Sequence, residues 1–561
     1  MNRLTARSAP GLARGRPAQS ARTPLRYLTW AVPGVLTLAL GLLDLGVPML
    51  WRDELATWSA ATRTPSQLWG MLHNTDAVLG PYYFGMHLWM GVFGQSAVAM
   101  RLPSVFAMTA AAVAVALTGK RLGGTAVGLL GGLVFAVIPS VSRYAQEARP
   151  YAFATLFAAL ATLLLLRAME RPNWLRWALY AVAIGAAGAA NLVALCILAG
   201  HIVIVGVDFS QRTVRIGGEG DAGRTLPGGR PEPIEGQPMA LVGWFCISAA
   251  IGIVLDAPIV IEGHSQTAYQ LGQQPVPHVA DLFRPTGGLW AELFSSTPVS
   301  LLVVLLALTA VVWTAGARRR VTALYILACA VLPILAVWVI SQGPNSYWTY
   351  RYMLFTVPVW ALAAGFGIAT IAERLSEARP AAISRRLFSA VVATAIVALT
   401  VVAGAHDQWE IRQYEAHNAW AFPVQMANGE PVNYPAAAAV IAENARPGDA
   451  IIYQSSDANH YEVNAAIAYY LRGKPPPTPV FQAETPVAAD NLQAEQCEDP
   501  SLCITGTPRI WVVYVDHLAP NPSNPFSALP GSQASYLTVL GYQTKLRWQA
   551  TGITVALLTV S

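Results

Sequence analysis

Charge is what this 561-residue chain has least of: Asp, Glu, Lys and Arg together make up 12% of it. A soluble domain carries about twice that share. With 54% hydrophobic residues and a positive mean hydropathy, the scarcity excludes a soluble globular protein and points to a polytopic membrane protein. Lysine is nearly missing, with Lys120, Lys474 and Lys545 standing among 36 Lys+Arg. The arginines are dispersed rather than gathered into a stripe interleaved with aromatics, so the net charge of +5 is not the footprint of a nucleic-acid binder. Cysteine is scarce as well, five in all, and no pair has metal-ligand spacing. No Gly-rich phosphate loop stands at a strand–helix junction in the C-terminal part, which leaves a nucleotide site there unsupported.

Long apolar runs are what the chain does have. A spanning helix needs roughly 20 apolar residues. Candidate spans lie near 27–50, 100–118, 125–142, 150–168, 174–190, 192–207, 239–258, 299–315, 321–340, 353–372 and 387–404, about eleven in all. Residues 1–26 carry six arginines (Arg3, Arg7, Arg14, Arg16, Arg22, Arg26) and no acid, which reads as a cytoplasmic tail ahead of a signal anchor. With that end inside, Lys120-Arg121, Arg167 to Arg176, the Arg212–Arg230 loop, Arg318-Arg319-Arg320 and Arg385-Arg386 all fall on the inner side, provided 174–207 is split at Asn191. Residues 51–99 mix Trp, His and Tyr with polar residues, as amphipathic helices in the interface do. Residues 208–238 read as a flexible inner loop.

From 406 onward hydropathy falls, and helical and strand patterns alternate. Pro435–Asn444 and Glu462–Leu471 read as helices, and Asp449–Gln454, Arg509–Val515 and one or two segments of Leu546–Val560 as strands. The expected architecture is therefore an α-helical membrane domain over 27–405 with an α/β domain over 406–561 outside the cytoplasm. Cys497 and Cys503 sit close together there, and a disulfide between them is expected if that region lies outside the cytosol. Cys196, Cys246 and Cys329 lie within apolar runs.

Four outward segments carry the chemistry. Trp51-Arg52-Asp53-Glu54 follows the first apolar run, and the same segment holds His73, Asp76, Tyr82, Tyr83 and His87. The second is Ser142 to Tyr151, with Glu147 and Arg149; the third holds Glu262, His264, Gln266 and Arg284; the fourth runs from Asn345 to Tyr352, with Arg351. Anchoring of helix ends by Arg, Tyr and Trp accounts for part of this, but not for acids beside arginines. Ionised groups at the edge of hydrocarbon are costly and are commonly kept for function. Moving a sugar from a lipid phosphate needs a base for the acceptor hydroxyl and cations or a metal to hold the departing phosphate. Carboxylates facing arginines at the lipid boundary supply both.

Trp51 to Glu54, Asp76 to Tyr83 with His87-Leu88-Trp89, Arg101-Leu102-Pro103-Ser104, Gln146 to Tyr151 and Pro344 to Tyr352 form an ordered series over roughly residues 28–372. The series resembles the GT-C superfamily of membrane glycosyltransferases, in particular the family-39-like group with the protein O-mannosyltransferases and aminoarabinose transferases. The resemblance implies Asp53 as catalytic base, Glu54 as a supporting or acceptor-binding acid, and Glu147 in a second acidic position. It implies Arg149 and Arg351 as phosphate-facing, Asp76 and Tyr352 as substrate contacts, and Tyr82, Tyr83 and Tyr151 along the sugar or lipid path. Val78-Leu79-Gly80-Pro81 replaces a histidine that relatives often carry after Asp76, and a first-loop lysine used for phosphate in some relatives is missing. A divalent cation is compatible with the resemblance but not implied by it. The implied activity is transfer of a sugar, mannose among the candidates, from a polyprenyl-phosphate donor to a glycan, lipid or protein acceptor at the outer face of the plasma membrane. A transporter or flippase of lipid-linked sugars would also have many spans, but would place its charges near the midplane and often show two similar halves; no repeat relates 28–207 to 239–404. A non-catalytic assembly partner is the third reading, against which the intact Asp53 stands.

Overall fold

Among the described residues, six helices are long and apolar enough to cross a membrane: Ala97–Gly123, Tyr151–Glu170, Leu192–Gln211, Ala317–Ile340, Tyr350–Glu377 and Arg385–Glu410. Two bent pairs raise the number to eight if each pair is one span. The structure is a computed structural model and describes residues 23–219, 237–271, 274–284, 288–378, 383–415, 431–454, 461–504 and 506–560. The other three expected spans are apolar helices too short for that criterion: Tyr27–Leu42, Trp174–Ala190 and Thr297–Val312. Each of the eleven expected positions thus holds an apolar helix, of which six, or eight with the bent pairs, meet the length for a span. The first helix, α1 (Thr23–Leu42), stops eight residues earlier than expected, and the chain turns at exposed Asp44 with φ at 56°. The six-arginine leader lies outside the described residues apart from its last four.

Residues 51–99 do not span. They form α2 (Arg52–Ala61), α3 (Pro65–Asn74) and α4 (Gly80–Phe93), each started by local chemistry. Thr64 caps α3 by accepting from the Gln67 N–H, with Pro65 in the first turn. Helix α5 (Ala97–Gly123) follows. Helix α6 (Thr125–Val137) meets α7 (Pro139–Ala145) at 63°, because Pro139 removes a donor and its ring clashes with the preceding turn. Helix α8 (Tyr151–Glu170) precedes α9 (Trp174–Ala190), which ends at Asn191. The Asn191 side chain accepts from the Val193 N–H and donates to the Tyr352 carbonyl, offering the backbone an alternative to the helical ladder. The split there is therefore local in origin.

Helix α10 (Ile197–Glu219) extends into the stretch expected as a loop, of which 220–236 lie outside the described residues. The 259–298 stretch, expected as an outer loop, is largely helical: α11 (Gln237–Leu255) bends by 53° into α12 (Ala257–Leu271), and α13 (Leu289–Phe294) follows. Helices α14 (Thr297–Val312), α15 (Ala317–Ile340), α16 (Val357–Glu377) and α17 (Arg385–Glu410) complete the bundle. Close approach of α16 to α6 depends on glycine: a Cβ on Gly365 would sit 2.3 Å from the Gly131 nitrogen. Small residues let helix backbones meet where lipid provides no hydrophobic drive.

The C-terminal part is an α/β domain of five strands in the order β2 (Thr478–Pro479), β1 (Ala450–Tyr453), β5 (Arg509–Val515), β7 (Ile553–Val560) and β6 (Tyr542–Ala550). β1 runs parallel to both neighbours, and the β5–β7–β6 side is antiparallel. A two-stranded pair, β3 (Gln482–Glu484) and β4 (Glu495–Gln496), lies apart from it. Helices α18 (Tyr434–Asn444), α19 (Val463–Tyr470) and α20 (Gly531–Val539) pack with the sheet. β2, β3, β4 and α20 are too short or too polar to have shown in the sequence pattern. The domain shares one hydrophobic cluster with α2 to α4, in which Leu55, Leu68 and Tyr83 join Ile467, Trp511 and Leu557. Arg63 donates to the carbonyls of Pro486 and Asn491, and Tyr470 O–H accepts from the Leu50 N–H.

Cys497 and Cys503 form a disulfide, the pairing expected for a domain outside the cytosol. The ring closed by a separation of six residues restricts the unfolded chain by about 2 kcal/mol on the loop-entropy estimate. Replacing both cysteines by serine is expected to lower stability by about that amount, read as a drop in the melting temperature of the purified protein.

Candidate active site

The motifs of the sequence first appear as a frame. Glu54 is fully buried, and Arg101 donates to it through Nε at 2.8 Å and Nη2 at 2.7 Å. The Glu54 carboxylate also accepts from the backbone N–H groups of Ala148 at 2.9 Å and Trp51 at 3.4 Å. Arg101 spends its remaining donors on the carbonyls of Leu45, Pro48 and Met49. Ser104 donates to the Glu147 carbonyl, Thr57 to the Ala148 carbonyl, and Gln146 to the carbonyls of Gly41 and Leu43. One buried ion pair with its satisfied hydrogen bonds thus ties the first loop, the start of α5 and the 146–150 turn together. Glu54 lies outside the lining of the cavity described next, and its geometry is that of a strut, which fits the supporting acid of the two expected roles rather than the acceptor contact.

Against that frame opens a cavity of about 960 Å³. Asp53 stands in its wall with Oδ2 3.0 Å from Arg351 Nη1 and 3.8 Å from Arg149 Nε, and Oδ1 3.6 Å from Arg52 Nε. The Arg351 guanidinium lies among the rings of Trp51, Tyr151 and Tyr352, 5.7–5.9 Å from their centres. That box of aromatic faces and one carboxylate makes it a partly desolvated cation. Arg149 also donates to the Tyr83 hydroxyl at 3.3 Å, which in turn donates to Asp76 Oδ2 at 2.6 Å. Asp76 lines the cavity from a left-handed backbone, φ 57°. Burial raises its carboxyl above the usual range, while Arg149 and the Tyr83 hydroxyl pull it down. A left-handed non-glycine residue costs about 1–3 kcal/mol and persists where surroundings over-determine it.

The structure therefore brings together Asp53, Asp76, Arg149, Tyr151, Arg351 and Tyr352 in the lining, with Tyr83 joining Asp76 to Arg149 just behind it. It also brings His264 and Arg284 from the third segment. Glu147 is buried and does not line the cavity; desolvation pushes its carboxyl up to about 7, and the Arg143 charge opposes this. Tyr82 faces elsewhere, as described below. Gln266 holds the 72–77 turn through the Leu72 carbonyl and the Ala77 N–H. His87 Nδ1 pairs with the Ala61 carbonyl and His73 Nδ1 with that of Trp69, both local contacts. Among the described residues there is no group of three or more His, Cys, Asp or Glu placed to hold a metal ion.

Sequence reading did not single out Asn191 as a cavity residue, nor Glu462, Asn491, Leu492 and Gln493 as the residues by which the C-terminal domain closes part of the cavity. The one local signal for Glu462 is its place at the start of a helical pattern. Nothing in the sequence couples it to residues four hundred positions earlier.

A second, apolar groove of about 550 Å³ runs beside the first, lined by Tyr82, Met86, Trp89, Phe106, Phe153 and Phe157 among others. Pro150 and Ala190 belong to both linings. The groove is bounded by α4, α5, α8 and α9.

Known proteins bear on this arrangement. Residues 80–214 match the family described as dolichyl-phosphate-mannose-protein mannosyltransferase. No curated protein matches the sequence. The crystal structure of ArnT from Cupriavidus metallidurans in the apo state superposes with a TM-score of 0.53 at 13% identity, covering 96% of this chain and 99% of that one. The structure of the same protein bound to undecaprenyl phosphate gives 0.51 at 14% identity over 95% and 98%. The superposition takes in the C-terminal domain, for which the sequence offered no motif. A helical membrane bundle with this C-terminal sheet domain, matched nearly end to end by ArnT, has the fold of the GT-C membrane glycosyltransferases.

Proposed function

We propose that the chain is an integral membrane glycosyltransferase that moves a sugar from a polyprenyl-phosphate donor to an acceptor at the outer face of the plasma membrane. The observation that carries this reading is the junction of two unlike spaces. A polar cavity holding Asp53, Arg149 and Arg351 shares Pro150 and Ala190 with an apolar groove. A lipid phosphate has that polarity pattern: its chain fits the groove, and its phosphate then reaches the arginines. Undecaprenyl phosphate in the ArnT structure and mannose in the family description support this class of donor, with mannose the first sugar to try.

Asp53 pairs with Arg351 and, at longer range, with Arg149. A donor phosphate would compete for those guanidinium groups, which suit phosphate geometry, and leave Asp53 free to act as a base. The acceptor oxygen attacks the anomeric carbon while Asp53 takes its proton. The bond from that carbon to the phosphate oxygen breaks, and its electron pair leaves with the polyprenyl phosphate. Arg149 and Arg351 stabilise the growing phosphate charge in a site partly screened from water. One displacement without a covalent intermediate inverts the anomeric centre.

The test is radiolabelled sugar transfer by the purified chain in lipid nanodiscs supplied with polyprenyl-phosphate-mannose. Arg351→Ala is expected to lower kcat/KM for the donor about a hundredfold and to raise donor KM. Unchanged donor kinetics would remove Arg351 from the phosphate site. No transfer by the wild type from mannose, glucose, galactose or arabinose donors would shift the reading to transport of lipid-linked sugars or to a non-catalytic partner.

A further inference from the structure

The C-terminal domain places one acid in the cavity that the displacement just described does not use. Glu462, at the N-terminal end of α19, is 7% exposed and lines the polar cavity. Its Oε1 accepts from Gln493 Nε2 at 3.0 Å, and its Oε2 is buried with no hydrogen-bond partner among the described residues. Buried carboxyl oxygens are nearly always satisfied, and one left unsatisfied is costly unless a ligand supplies the donor. The backbone at Glu462 is left-handed, φ 51°, a conformation that aims the side chain away from the regular course of the helix. Asp53 and Asp76 are close enough to act electrostatically on its carboxyl, which burial, the larger effect, already holds well above the usual range. Glu462 lines the same cavity as the proposed base Asp53, which an acceptor must enter to meet that base.

We propose that Glu462 is an acceptor-binding residue: Oε2 accepts a hydrogen bond from a hydroxyl of a carbohydrate acceptor, with Gln493 holding the carboxyl in place. The assignment rests on the glycosyl-transfer reading above and goes beyond it by naming the acceptor class and the domain that selects it. Asn491 and Gln493 add amide groups to the same lining, and Tyr347, Trp348 and Tyr350 add ring faces. Amides and a carboxyl pair with the hydroxyls of a sugar, and aromatic faces pack on its C–H surface. The arrangement divides the labour: arginines from the membrane bundle hold the donor phosphate, and the C-terminal domain holds the acceptor. The loop that carries Asn491 and Gln493 is itself held to the interface helices, since Arg63 donates to the Asn491 carbonyl and Asn74 to that of Asp490.

The experiment uses the full chain in nanodiscs, polyprenyl-phosphate-[¹⁴C]mannose as donor and octyl α-mannobioside as acceptor. It compares wild type, Glu462→Gln and Gln493→Leu, with donor and acceptor concentrations varied separately. Glu462→Gln is expected to raise acceptor KM about fivefold, the loss of one hydrogen bond, with donor KM held within about twofold and release of free mannose to water retained. Gln493→Leu is expected to raise acceptor KM about threefold, and it serves alone if Glu462→Gln does not fold. An unchanged acceptor KM in the folded variants, or acceptor and donor KM rising together, would overturn the assignment while leaving the transferase reading in place. Wild-type transfer to a Ser/Thr peptide but not to the mannobioside would overturn the carbohydrate class. No transfer by the wild type to either, from mannose, glucose, galactose or arabinose donors, would overturn the transferase reading and this assignment with it.

Discussion

Asp53→Asn is expected to lower sugar transfer about a thousandfold, within the range for loss of a positioned general base, while yield and thermal stability stay at wild-type levels. Asparagine matches aspartate in shape but does not take a proton at neutral pH. The substitution also withdraws the carboxylate that Arg351 and Arg149 face at 3.0 and 3.8 Å. Two guanidinium groups relieved of that partner should bind the donor phosphate at least as well as before. The expected signature is thus a collapse of kcat with a donor KM that is unchanged or lower. Arg351→Ala has the opposite signature in donor KM, so the pair separates proton removal from phosphate binding. Activity of Asp53→Asn within tenfold of wild type would remove the base assignment, and a sharply raised donor KM would make Asp53 a donor-positioning residue instead.

The second large effect is on stability. Glu54 and Arg101 are both fully buried and joined by two hydrogen bonds. Removing one partner of such a pair leaves an uncompensated charge in the interior and typically costs about 3–5 kcal/mol. Glu54→Leu and Arg101→Leu should each give protein that melts far lower or fails to purify as a monodisperse species. The double replacement should recover much of the loss, since a buried pair exchanged for apolar residues is often near neutral, although the linker carbonyls of Leu45, Pro48 and Met49 would still lose their donor. A Glu54→Leu protein of wild-type stability but without transfer activity would contradict the strut and restore Glu54 to the chemistry. Detergent-solubilised samples followed by intrinsic-fluorescence melting distinguish these outcomes.

The neighbouring acids Asp53 and Glu54 show how far the sequence reaches. Their cluster at the end of an apolar run singled them out together, because composition and spacing report only that charge is kept near hydrocarbon. In the structure one turns to the cavity and the other to Arg101, since successive residues at a helix start point about 100° apart. The Arg101-Leu102-Pro103-Ser104 and Gln146 to Tyr151 motifs were legible as part of an ordered series. Much of that order proves to be framework: Arg101, Ser104 and Gln146 tie down backbone carbonyls, and only Arg149, Pro150 and Tyr151 of the two motifs reach the polar lining.

The sequence by itself determined the elements whose signals are local. Apolar runs placed the helices of the bundle, Asn191 and Pro139 broke two of them, and short, near-continuous apolar runs placed β1, β5 and β7. Spacing alone also brought Cys497 within reach of Cys503. Each of these follows from covalent geometry or from burial along a single element, so a window of neighbours suffices to see it. Only the tertiary structure decided which charges meet. The pairing of Asp53 with Arg351, the burial of Glu54 against Arg101, and the arrival of Glu462 beside the cavity join residues 47 to 409 positions apart. Electrostatic contacts of that kind depend on distance and desolvation in space, and neither quantity is written in the order of residues along a chain.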